Sequence, residues 1–305
     1  MTHLIGTRRG ECGDWPRAGL DGKVRAMLRT AWVSLQRRRW PLRWLLKLAF
    51  VAAVVFVVMY PRPGLFWRNL RHLRNLDRLI QPDAPSLKPW AAELRPMLAE
   101  SLTPQQRLGI IEGFVYRKVP YEYDWVTWGV ADYVPTVDEI VAQGREDCDG
   151  RAVIAASLLR PYDPEARIVT DGKHMWAASS AGEFMHPSGP KAMETTPSGV
   201  RIRWRNFLRI DGPAFGMAVF PLARELAILA AFWLALCDPR MSTKTAVGTA
   251  LLAFQGLLMV RLAARNPWSP VWWGIWLGLA QMATAVLTAA WFAGRARRRP
   301  AGRSA

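Results

Sequence analysis

Cysteine is scarce in this chain: three in 305 residues, at Cys12, Cys148 and Cys237. They form no Cys-x-x-Cys pair and no even-numbered framework, which excludes a disulfide scaffold and gives no sign of a structural zinc site. Histidine is nearly as rare, at four, so imidazole chemistry has few candidates. Acidic residues are sparse at the ends. Residues 1–43 hold three acids against ten Lys or Arg, and the tail from Arg295 through Arg299 to the C-terminus has none. The middle is the reverse, with seventeen acids against eleven basic residues over 81–200. The overall charge of +17 therefore sits on the flanks, where it fits anionic lipid headgroups and cytoplasmic retention better than a phosphate-reading surface. No nucleic-acid partner is expected.

What is abundant is apolar and aromatic: hydrophobic residues make up 51% of the chain, with sixteen Trp, gathered in runs. Residues 44–60 are apolar except for Lys47 and long enough for a bilayer core about 30 Å thick. The long basic region before them and the lack of a small-x-small cleavage site indicate an anchor rather than a removed signal. Three further stretches, about 214–236, 246–262 and 271–292, complete four expected spans. Arg224 and Glu225 in the first of these are costly at membrane depth unless paired or facing other helices. Four crossings place both basic ends on one side, and the positive-inside preference makes that side the cytoplasm. The expected location is an inner or plasma membrane, with the intervening domain facing outside. The bilayer is the expected lipid partner, and the oligomeric state is left open.

The organisation follows: a basic tail over 1–43, a span over 44–60, a juxtamembrane amphipathic helix and linker over 61–89, a folded domain over 90–212, three spans over 213–294 and a basic tail over 295–305. Within 64–80, Leu65, Leu73, Leu76, Leu79 and Ile80 oppose Arg68, Arg71, Arg74 and Arg78 at helical spacing. Such a helix either lies along the membrane or packs as the first helix of the domain. Thr103-Pro104 signals a helix start, and residues 90–119 read as helical. Asp147 or a neighbour opens a second helix, apolar nearly all round, that stops at Pro161. Short alternating runs follow at Arg167–Thr170, His174–Ala178 and Glu183–Met185, separated by Asp171-Gly172 and Ala181-Gly182, as antiparallel strands do.

Cys148 just ahead of the buried helix would face unpaired N–H groups and the positive end of the helix dipole, which favour a thiolate. Glu146, Asp147 and Asp149 oppose this unless they are engaged as caps or ion pairs. Trp125 and Trp128 fall in an irregular aromatic stretch over 120–135 and read as packing residues, as does Trp176.

The series Thr136-Val137-Asp138-Glu139-Ile140, Gly144-Arg145-Glu146-Asp147-Cys148-Asp149-Gly150-Arg151-Ala152, Ser157-Leu158-Leu159-Arg160, Ala166-Arg167-Ile168-Val169 and His174-Met175-Trp176 resembles the transglutaminase-like, papain-like thiol superfamily in order and spacing. The resemblance covers roughly residues 100–190. It implies an α+β fold in which a Cys-bearing helix packs on an antiparallel sheet, here flanked by transmembrane helices. It also implies Cys148 as nucleophile, His174 as general base and acid, and acyl transfer or amide hydrolysis on a protein or peptide through a thioester. Two positions depart from the family pattern. Glu146 stands where a second Gly is usual, and His186 stands at the usual third-member Asp, with Glu194 the nearest acidic substitute. A neutral His186 can orient an imidazole but cannot stabilise its charged form as a carboxylate does. The alternative is an inactive module that binds a peptide or partner at the membrane. No cofactor or metal is expected, although ligand chemistry also permits zinc on Cys148, His174 and His186.

Overall fold

The computed structural model describes residues 27, 30–36, 38–99, 101–186, 193–196, 199–207, 209–238 and 241–298. The protein is mostly helical with a small antiparallel sheet. Three helices are long and apolar enough to cross a membrane: α1 (Trp40–Met59), α11 (Thr243–Ala263) and α12 (Trp272–Arg298, apolar over Trp272–Arg295). The stretch expected as a single span over 214–236 is instead two helices, α9 (Asp211–Val219) and α10 (Leu222–Leu236), bent by 112°. Pro221 sets the break: it precedes the first turn of α10, where a missing N–H costs nothing.

The charges inside these helices are engaged. Glu225 on α10 pairs with Arg261 on α11, whose Nη1 also donates to the carbonyls of Met217 (2.6 Å) and Phe220 (2.8 Å). One guanidinium thus satisfies both the buried carboxylate and the carbonyls freed at the bend. Arg224 donates to the Gly129 carbonyl (2.8 Å), joining α10 to the domain. Gly256 and Gly278 bring α11 and α12 into backbone contact, since a β-carbon on either would stand 2.6 Å from the other's carbonyl oxygen. Small residues at such crossings let helices approach where no hydrophobic gain drives them together.

In the domain, the amphipathic helix is shorter than expected: α2 (Pro63–Leu73) gives way to a 3₁₀ turn at Leu76–Leu79. It packs on the domain. Arg68 pairs with Glu139 (2.6 Å), Asn69 donates to Asp132 Oδ2 (2.8 Å), and Leu79 and Ile80 enter the core. The stretch over 90–119 is broken by Pro96 and Pro104 into α3 (Lys88–Leu94), a 3₁₀ turn and α4 (Pro104–Lys118). Thr103 and Gln106 form a capping box at the start of α4. After one short turn, α5 (Asp124–Thr127), come α6 (Val137–Gln143) and α7 (Cys148–Leu159).

Helix α7 is the centre of the domain, with every residue from Ala152 to Leu159 buried. It packs against α4, α6 and the fully buried strand β2 (Met175–Ser179). Burial of each large aliphatic side chain there contributes roughly 2 kcal/mol, which is why the helix needs no amphipathic stripe. The sheet runs β1 (Arg167–Thr170), β2, β3 (Gly182–Phe184), antiparallel throughout, with Ile168 opposite Ala177 and Ala177 opposite Phe184. A separate hairpin, β4 (Met193–Thr196) with β5 (Gly199–Ile202), and the turn α8 (Trp204–Phe207) lead back to the membrane helices.

Candidate active site

Cys148 is the first residue of α7. Gly144 closes α6 in the left-handed region (φ 68°), and the chain then runs extended to Asp147, the N-cap, whose Oδ1 accepts the Asp149 N–H (3.0 Å). Glu146 fixes the approach. Its N–H donates to the Pro120 carbonyl (3.1 Å) and its carbonyl accepts from Glu122 (3.3 Å). Its side chain is fully buried: one oxygen accepts the Trp128 indole N–H, the other the Asp147 N–H (2.9 Å). Trp128 is therefore the indole partner of a buried acid as well as a packing residue.

The thiol of Cys148 donates to Asp149 Oδ1 (3.2 Å). Helix α7, which it opens, packs on β2, whose first residue, Met175, follows His174. The dipole of α7 does not prevail there. Burial, then the carboxylates of Asp149 and Asp147, push the thiol well above its ordinary range, so the resting group is a neutral thiol.

His174 lies at the end of the β1–β2 turn. Burial holds its imidazole below the usual range; Asp171 opposes that shift and Lys173 reinforces it. A neutral imidazole at neutral pH is the form that can accept a proton. Asp171, 3% exposed, is the acid beside it: Oδ1 accepts the N–H groups of Lys173 (2.9 Å) and His174 (3.0 Å), while its own N–H donates to the His174 carbonyl (3.2 Å). Sequence reasoning assigned Asp171-Gly172 to a turn and missed this second role; an acid three residues before the His was the available signal. His186 is exposed, just after β3 and the positive-φ residue Met185 (φ 61°). Glu194 lies on β4 opposite Arg201, and its side chain lies outside the described residues. Trp176 is buried, with its indole N–H on Glu183 (2.9 Å).

Around the start of α7 gathers a set of acids. Asp124, 1% exposed, accepts the Tyr133 N–H through Oδ2 (2.6 Å), and its carbonyl accepts from Trp128 and Gly129. Burial and then neighbouring carboxylates, Asp147 first, raise Asp124 and Asp149; burial raises Asp147 to about 6 against the Asp149 N–H that it accepts; and burial followed by Asp147 raises Glu146 to about 8. Oxygens of Asp124, Glu146 and Asp147 lie within 4.8 Å of one another, as do donor atoms of Asp147, Cys148 and Asp149. Among the described residues, the expected zinc alternative on Cys148, His174 and His186 is not such a grouping. An aromatic wall stands outside the acids: Tyr123 stacks on Trp125 (4.4 Å), Trp125 meets Phe220 at the α9–α10 bend (5.3 Å), and the Arg151 guanidinium lies over Tyr116 and Tyr121 (4.9 and 5.1 Å).

A surface cavity of about 350 Å³, lined in part by Arg107, Tyr162, Asp163 and Ser180, opens at the other end of α7. A twelve-residue helix separates the two ends by roughly 18 Å, so the cavity is remote from Cys148. No family model, curated protein or solved structure matches the chain.

Proposed function

We propose that the protein is a membrane-anchored thiol enzyme of the transglutaminase-like, papain-like type, carrying out acyl transfer or amide hydrolysis on a protein or peptide. One observation carries the reading: the helix that Cys148 opens packs on the buried strand that begins at the residue after His174. A thiol-bearing helix packed on antiparallel strands supports a papain-like core. His174, neutral at rest, takes the proton of the thiol as sulfur attacks the substrate carbonyl, then returns it to the leaving amine as the thioester forms. Water or an amine attacks the thioester next and expels the thiolate, with His174 moving the protons again. The domain faces outward, both basic ends lie in the cytoplasm, and α9–α10 together make the fourth crossing.

A thiol-directed electrophile tests the assignment. Peptide mapping by mass spectrometry is expected to find Cys148 modified in wild type, no adduct at that position in Cys148→Ala, and labelling slowed about 100-fold or more in His174→Ala. Equal total labelling of wild type and Cys148→Ala sinks the nucleophile. The carboxylates pressed against the thiol favour a second reading, a non-catalytic module that holds a peptide or partner. That reading stands if His174→Ala leaves the labelling rate unchanged.

A further inference from the structure

The carboxylates of Asp124, Glu146 and Asp147 come from two stretches of chain more than twenty residues apart, and the fold brings them together, the first two buried and Asp147 half-buried. Asp124 and Glu146 are 1% and 0% exposed. Such a group of like charges is costly unless a cation or protons neutralise it. No cation of the protein pairs with them directly: among the described residues, none of the three forms an ion pair, and Arg151 acts on Asp147 only from beyond contact. Arg151, the nearby base, is committed elsewhere, with Nε on the Val119 carbonyl (2.9 Å) and its guanidinium between two tyrosine rings. An independent observation points to a ligand. Asp124 Oδ1 is buried and has no hydrogen-bond partner, although its sister oxygen accepts the Tyr133 N–H. Buried polar atoms are rarely left in that state.

We propose that Asp124, Glu146 and Asp147 form a binding site for a hard divalent cation such as Ca²⁺. Donor identity sets the class, because three carboxylates and no sulfur or imidazole suit Ca²⁺, Mg²⁺ or Mn²⁺ rather than zinc. Spacing allows it: the three oxygens lie within 4.8 Å of one another, inside the about 5 Å between opposite ligands of Ca²⁺. The ion has a structural consequence. It would tie the loop carrying Asp124 and Trp128 to Asp147, the cap of α7, and cancel negative charge beside Cys148. The site does not depend on turnover at Cys148, so it can stand or fall apart from the enzyme reading.

The test uses the full chain in detergent. Tb³⁺, a Ca²⁺ analogue, should show saturable luminescence excited through Trp128, whose indole is bonded to Glu146. Ca²⁺ is expected to displace it and to raise the thermal midpoint. Asp124→Asn keeps an acceptor for the Tyr133 N–H and should weaken binding at least tenfold; Glu146→Gln, which keeps an acceptor for Trp128, is the second variant. Asp163→Asn, at the far end of α7, is the control and should bind as wild type. Tb³⁺ signal unchanged in both variants, or a midpoint indifferent to Ca²⁺ and raised by Asp124→Asn, overturns the proposal and shows the cluster to be closed by protons.

Discussion

The side chain of Glu146 occupies the space a β-carbon on Gly150 would need: that carbon would stand 2.2 Å from Glu146 Cγ. Gly150, inside a helix and otherwise unfavourable by roughly 1 kcal/mol, is thus the partner that makes room for a buried glutamate before the Asp-Cys pair. Gly150→Ala should expel Glu146 from Trp128 and the Asp147 N–H, costing about 2 kcal/mol. Denaturant unfolding measures the loss, and a red-shifted tryptophan emission reports the freed indole. An unchanged emission and midpoint would show that Glu146 has room elsewhere.

Protonation of His174 is expected to be linked to stability. Its folded value lies below its unfolded one, so as pH falls through about 6.5 the unfolded chain takes up the proton first. Stability therefore falls as pH drops through that window and levels off below the folded value. His174→Gln should flatten this part of the curve. Asp171→Asn keeps the acceptor that organises the turn but removes the charge, so the imidazole should titrate lower still; NMR of labelled histidine reads both values.

The ion pair between Glu225 and Arg261 predicts strong coupling. Glu225→Ala leaves a half-buried guanidinium partly unpaired and should cost about 2 kcal/mol, whereas Glu225→Leu combined with Arg261→Met should cost clearly less than the two single changes added together. Thermal unfolding in detergent of the four proteins closes the cycle; simple additivity contradicts the pairing.

At the α11–α12 crossing, Gly256→Leu should force the helices apart, because the backbone of Gly278 occupies the place of the new side chain. A destabilisation of about 2 kcal/mol or more is expected, while the same change at Gly248, which has open space, should be nearly silent.

Topology gives another check. The proposed fourth crossing by α9–α10 puts a tag at either end on the same side of the membrane, so protease should reach both tags or neither in sealed vesicles. Tags found on opposite sides would mean that α9 and α10 enter and leave by one face.

Much of this architecture is written locally. The cap at Asp147, the stop before Pro161 and the Asp171-Gly172 turn are short-range signals, and α7, β1 and β2 lie where they indicate to within a residue or two. The break at Pro221 was less legible, because hydropathy weighs composition and is blind to direction, although proline at that point was a usable sign. The β4–β5 hairpin escaped notice in a stretch rich in Pro and Gly. Long-range relations were invisible: nothing local tells that Asp124 meets Glu146, or that Arg224 caps Gly129. Cys148 and His174 could be named because a motif links them, whereas Asp171 acts within its own turn and carries no motif.

The most direct test of the account is a trapped acyl-enzyme. Exposed to an activated aryl ester, the full-length protein should release one equivalent of alcohol in a burst and carry one hydroxylamine-labile acyl group on the Cys148 peptide. The group should be absent in Cys148→Ala and form at least 100-fold more slowly in His174→Ala. Acylation that persists in Cys148→Ala, or that proceeds at the wild-type rate without His174, would contradict it.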